Sequence, residues 1–146
     1  MSVIDYDQTL EDLRTVLKKN LVANGFNIDV KVVSRRSKTQ DESNHDQEFI
    51  ILPSIDTLTE SYASSDERRE WEVLIVGYIS DNKIENQIEK LKQDLIRNLN
   101  KEYRTPPSPL LDVEVSTVTQ SALLEEFQDA SLLMTAKFDY ILNREV

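Results

Sequence analysis

The chain has 146 residues, a formal charge of −10, 39% hydrophobic and 30% charged residues, two glycines and no cysteine. That length suits one domain with a sizeable core, and the absence of cysteine excludes disulfide frameworks, thiolate zinc sites and cysteine nucleophiles. The acidic balance argues against generic nucleic-acid or anionic-membrane binding, no apolar run approaches the roughly 18 residues of a membrane span, and the N-terminal residues lack the pattern of a signal peptide.

A first helix is expected from about Asp5 to Ala23. Tyr6, Leu10, Leu13, Leu17 and Leu21 form its apolar stripe, Asp5 with Gln8 resembles a capping box, and Asn24-Gly25 is a stop signal. Phe26 to Val33 alternates apolar and polar residues, as a half-buried strand does. Arg35 to Gln47 has no apolar residue and reads as a long, mobile tip leading to a second strand, Glu48 to Leu52, ended by Pro53. The two strands are expected to form a hairpin. A second mobile connection is expected at about 54–70.

Trp71 to Ile79 is the strongest strand signal. Trp71, Val73, Ile75 and Ile79 fall on one face and Leu74, Val76 and Tyr78 on the other, so the strand is central and both faces want cover. After it, Ser80 or Asp81 can cap a helix whose stripe is Ile84, Ile88, Leu91, Leu95, Leu99 and Tyr103. Thr105-Pro106-Pro107-Ser108-Pro109 then forbids helix and leads into a strand at Leu111 to Gln120. The prolines do not mark a domain boundary, because too little chain follows for an independent core. Residues 121–130 read as either a helical turn or an apolar loop. Ser131 to Leu142 alternates as a long final strand, antiparallel to its predecessor if the two form a hairpin.

The order α-β-β-β-α-β-β predicts a single α+β domain spanning 1–146, with a mostly antiparallel sheet of about five strands and both helices on one face. The opposite face then leaves Leu74, Val76 and Tyr78 exposed unless the loops cover them. A patch of that kind points to self-assembly or docking.

Catalytic signatures are wanting. His45, the only histidine, sits in a polar stretch from Asp41 to Glu48 whose spacing matches no calcium loop, and it reads as a solvated tip. No serine stands in a Gly-x-Ser-x-Gly turn, and two glycines cannot build a phosphate cradle. Adjacent carboxylates such as Glu11-Asp12 and Glu125-Glu126 are what 27 acidic residues produce by chance. No cofactor or metal is expected, and an enzyme is the less favoured class. Arg35-Arg36 and Arg68-Arg69 flank polar stretches and are either ordinary flanking charges or partners for acidic surfaces of a neighbouring subunit. Trp71 is a core residue or an interface anchor.

In element order, size, the polar stretch after Val33, the strand-helix unit from Trp71 to Tyr103 and the closing hairpin, the chain resembles the tail terminator or tail completion proteins of tailed bacteriophages. The resemblance implies a structural virion protein, made in the host cytoplasm, that forms a six-membered ring capping the tail tube. Such a ring ends tube elongation and offers a docking surface to the neck connector. It implies contact with tail tube protein and neck protein through the loops and through sheet edges meeting between subunits, with DNA crossing the lumen without specific binding. No catalytic residues carry over. Arg35, Arg36, Arg68, Arg69, Trp71, Leu74, Val76 and Tyr78 are the candidate partner-binding residues. A stopper or connector of the same neck, and a cytosolic protein-binding adaptor, are the competing readings.

Overall fold

In a computed structural model, residues 5–26, 30, 32–34, 48–62, 66–78, 84–107, 110–117 and 132–143 are described. Helix α1 spans Tyr6–Lys18, and the Asp5 side chain accepts a hydrogen bond from the Gln8 backbone N–H at 3.1 Å, satisfying one of the free donors of the first turn. Only half of the expected capping box forms, because the Gln8 side chain donates onward to Asp12 at 2.8 Å. The helix also stops before Ala23. Leu21 is extended and Asn20 turns into the core, after which Val22–Asn24 make a short 3-10 turn closed by Gly25 at a φ of 91°. That conformation is left-handed, which glycine adopts without a Cβ penalty.

Five strands form one sheet in the order β1-β2-β3-β5-β4: β1 Val32–Ser34, β2 Glu48–Ser61, β3 Asp66–Tyr78, β4 Leu110–Thr117 and β5 Leu132–Asn143. Helix α2, Ile84–Glu102, connects β3 to β4. This is the predicted α+β class and element order, with antiparallel pairing throughout β2-β3-β5-β4. The final two strands are antiparallel as expected.

Two expectations fail. β1 pairs with β2 in parallel, Val32 opposite Glu48 and Ser34 opposite Ile50, so the two are not a hairpin. A parallel pair needs a connection of about a dozen residues or more, and 35–47 supplies that length. The second mobile connection at 54–70 is likewise absent over most of its length. β2 continues through Pro53 to Ser61, and β3 begins at Asp66, five residues before Trp71. Proline is tolerated there because β1 flanks β2 only as far as Ile50, and the register shifts between Pro53 and Asp56. β5 secures the result from the other side, pairing with β3 from Asp66 opposite Asn143 to Gly77 opposite Leu132. The 35–47 stretch, the proposed caps Ser80 and Asp81, and residues 121–130 lie outside the described residues.

The main core lies between the sheet and both helices, which share one face. Leu10, Leu13 and Leu17 of α1 and Leu91, Leu95 and Leu99 of α2 pack on Phe49, Ile51, Val73, Ile75, Met134 and Phe138 of the sheet. A polar seam runs through this layer: fully buried Asn20, Asp94 and Asn98 sit between the helices, and the Asn98 side-chain N–H donates to the Val16 carbonyl at 2.8 Å. Ile50, Leu74, Val76 and Leu133, with half-buried Leu52, form a second cluster on the other face of the sheet.

Candidate interaction site

The bulge after Pro53 brings Asp56 opposite Trp71, on the helix-bearing face. Three elements meet on its carboxylate. From the first turn of α1 the Tyr6 hydroxyl donates at 2.7 Å, from β5 the Tyr140 hydroxyl donates through a short bond, and from β3 Arg69 Nε donates at 2.9 Å. The two phenol oxygens are 2.6 Å apart. Arg69 also reaches Glu67 at 3.5 Å. The Tyr6 ring stands edge-on against Trp71, with centroids 4.6 Å apart, and Trp71 leans on Phe138 at 5.8 Å. Favourable aromatic geometry and charge-assisted hydrogen bonds thus fix α1 to the middle of the sheet.

Electrostatics follow from this geometry. Burial alone would raise the Asp56 pKa, but the hydrogen bonds from Tyr140, Tyr6 and Arg69 outweigh it and hold the carboxyl below its ordinary value. Burial and then the bond to Asp56 push the Tyr140 hydroxyl up, and the same two causes act on Tyr6. The bond to Asp56 raises Arg69. An ionised carboxylate with both oxygens engaged is a poor proton acceptor, so the cluster acts as a clamp and has no poised acid or base. Among the described residues no cluster of three or more His, Cys, Asp or Glu could hold a metal ion, and no helix is long and apolar enough to cross a membrane. His45 lies outside the described residues.

The candidate partner-binding residues fare differently from one another. Arg35 and Arg36 lie outside the described residues. Arg68 makes a two-pronged pair with Asp139 of the neighbouring strand, Nε at 3.1 and 3.2 Å and Nη2 at 2.5 Å, which raises its pKa. Arg69 is held by Asp56. Both guanidiniums are therefore engaged by carboxylates inside the chain. Trp71 is 5% exposed and belongs to the core. Leu74 and Val76 are buried, at 5% and 0%, so the exposed patch expected around them is not present. Tyr78 stands opposite Glu48 at the end of β3. Tyr103 is in the core as expected, whereas Tyr6 is 41% exposed and works through its hydroxyl and ring edge.

Apolar exposure lies elsewhere, at Val22 (58%) after α1, at Ile55 (54%) and Leu58 (47%) on β2 and at Leu111 (45%) on β4. Reading Pro53 as the end of a strand hid Ile55 and Leu58. The β-branched run Ile55, Thr57, Thr59 is a strand signal that could have found them. Asp56 and Tyr140 had no signal, since they are joined only by the fold.

No protein-family model and no curated protein matches this chain.

Proposed function

We propose that this chain is a structural virion protein of a tailed bacteriophage, assembling into a ring of six copies that caps the tail tube, ends its elongation and receives the neck connector. One observation carries the reading: the sheet is open and its two edges are unlike. Past Ile50, β2 pairs with β3 on one side, has no strand on its outer side among the described residues, and displays Ile55 and Leu58; at the far edge β4 has, among the described residues, β5 on one side only and displays Leu111. A closed ring is built from heterologous contacts, in which two different surfaces of each subunit meet, and unlike edges are such a pair. The net charge of −10, multiplied around a ring, would keep DNA phosphates from adhering to the lumen. The family resemblance supplies the tail as the setting.

The test is to pull a tagged chain gently from its native source and image it with the tag labelled. Label at one end of tail tubes supports the reading; label at the connector instead moves the protein into the neck. A soluble complex without tubular particles overturns it. In parallel, Leu58→Asp should keep the fold while lowering the mass of any ring seen by native mass spectrometry.

A further inference from the structure

Although the chain is acidic as a whole, its cations are unevenly placed. Lys90, Arg97 and Lys101 follow at spacings of seven and four along α2, which puts these three on one side of the helix over a length of about 16 Å, and Arg104 follows two residues past the helix end. All four are exposed, as is Lys19 at the end of α1. The opposing charge is small. Lys19 pairs with Glu102 at 3.3 Å and Arg97 with buried Asp94 at 3.3 Å, while Lys90, Lys101 and Arg104 meet no carboxylate among the described residues.

Beside this stripe, the C-terminal half of α2 and residues 19–26 that follow α1 border an open cleft of about 370 Å³, lined by Lys19, Asn24, Phe26, Asn98, Lys101 and Glu102. Its amides are anchored from behind: Asn24 donates to the Lys19 carbonyl at 2.9 Å and Asn98 to Val16 at 2.8 Å. The Arg97 guanidinium lies 5.4 Å over the Phe26 ring, which makes that wall firm. The site thus offers a preformed recess with an aromatic wall, beside three cations, Lys90, Lys101 and Arg104, that meet no carboxylate among the described residues.

We infer that the cleft between α2 and residues 19–26, with its basic stripe, docks an acidic polypeptide segment of a partner protein, the carboxylates lying along Lys90, Lys101 and Arg104 and one apolar side chain entering the recess against Phe26. Charge complementarity selects this occupant. A nucleic-acid duplex is disfavoured, since a long polyanion would run beyond the stripe onto a surface that is acidic overall. The inference rests on the tail reading for the source of the segment, a tube or neck partner, and only for that.

The experiment uses a fluorescent synthetic peptide of Glu and Asp with a central Phe, titrated with the intact chain and followed by polarisation. Saturable binding is expected, weaker by at least about tenfold in the Lys90→Glu, Lys101→Glu, Arg104→Glu triple variant and weakened again by high salt. All three side chains are exposed, so the variant's thermal unfolding should match the parent's. Removing the Phe from the peptide should weaken binding as well. Failure to saturate, equal affinity in parent and variant, or tighter binding of a DNA duplex than of the peptide would each overturn the inference. None of those results touches ring formation, which is measured separately, so the two readings can fail independently.

Discussion

Tyr140 and Asp56 stand 84 residues apart, and in the fold the phenol hydroxyl of one donates to the carboxylate of the other. Tyr140 is fully buried at the ring, so the bond is shielded from competing water while Asp56 stays partly open. Tyr140→Phe removes that donor without changing shape and should cost about 1–3 kcal/mol, in keeping with a hydrogen bond to a charged group. Urea unfolding followed by the fluorescence of Trp71, the only tryptophan, reads the change directly.

Asp56 also sets an acid limit on stability. Its folded pKa lies below the ordinary 3.8, so its contribution is present above that value and is lost as pH falls through the folded pKa. Asp56→Asn should be less stable than the parent at neutral pH, and the difference should shrink in strong acid. A constant difference at every pH would show that the carboxylate charge is not what matters.

At the alkaline end the signs reverse. Tyr140 and Tyr103 are both raised above the ordinary 10.0, chiefly by burial, so folding favours their protonated forms; that contribution is full below pH 10.0 and is lost as pH rises through the folded values. Phenolate absorbance should therefore rise in two stages, with the buried tyrosines ionising only as the chain unfolds. A single transition near the ordinary value in the folded protein would contradict the burial.

Gly77 is required by its neighbour. A Cβ added there would meet Cε1 of fully buried Phe49 at 2.7 Å, and the two residues face each other across β2 and β3. Gly77→Ala should destabilise by about 1–3 kcal/mol through overpacking, and adding Phe49→Leu should recover part of that loss. If Gly77→Ala is neutral, the ring has room to move aside.

Replacing Asn98 with Ala should also be costly, because the Val16 carbonyl loses the side-chain donor at 2.8 Å while keeping the Lys19 backbone N–H at 3.1 Å; a loss of about 1 kcal/mol is expected in thermal or urea unfolding. The seam of Asn20, Asp94 and Asn98 places polar groups where apolar packing alone would let α1 slide along α2. Specifying that register is the role such a seam can play.

Most of the architecture was legible in local pattern. Asp5 announces α1, alternation from Leu132 to Leu142 announces β5 with Met134, Ala136, Phe138 and Tyr140 inward, and the stripe through Leu91, Leu95 and Leu99 announces α2. These signals are local because side-chain direction repeats every two residues in a strand and every 3.6 in a helix. What lies between Pro53 and Arg69 was not legible. There the strands are polar, carried by cross-strand pairs such as Arg68 with Asp139 and by pairing with β5, and neither is visible along the chain. The same holds for the parallel placing of β1, which depends on where the chain returns, and for the cover that buries Leu74 and Val76. Asp56, Tyr6, Tyr140 and Arg69 come from four elements, and the cleft needs residues 19–26 laid against α2. Periodicity thus determined which residues turn inward, and only long-range packing decided which polar groups meet and which surfaces remain open.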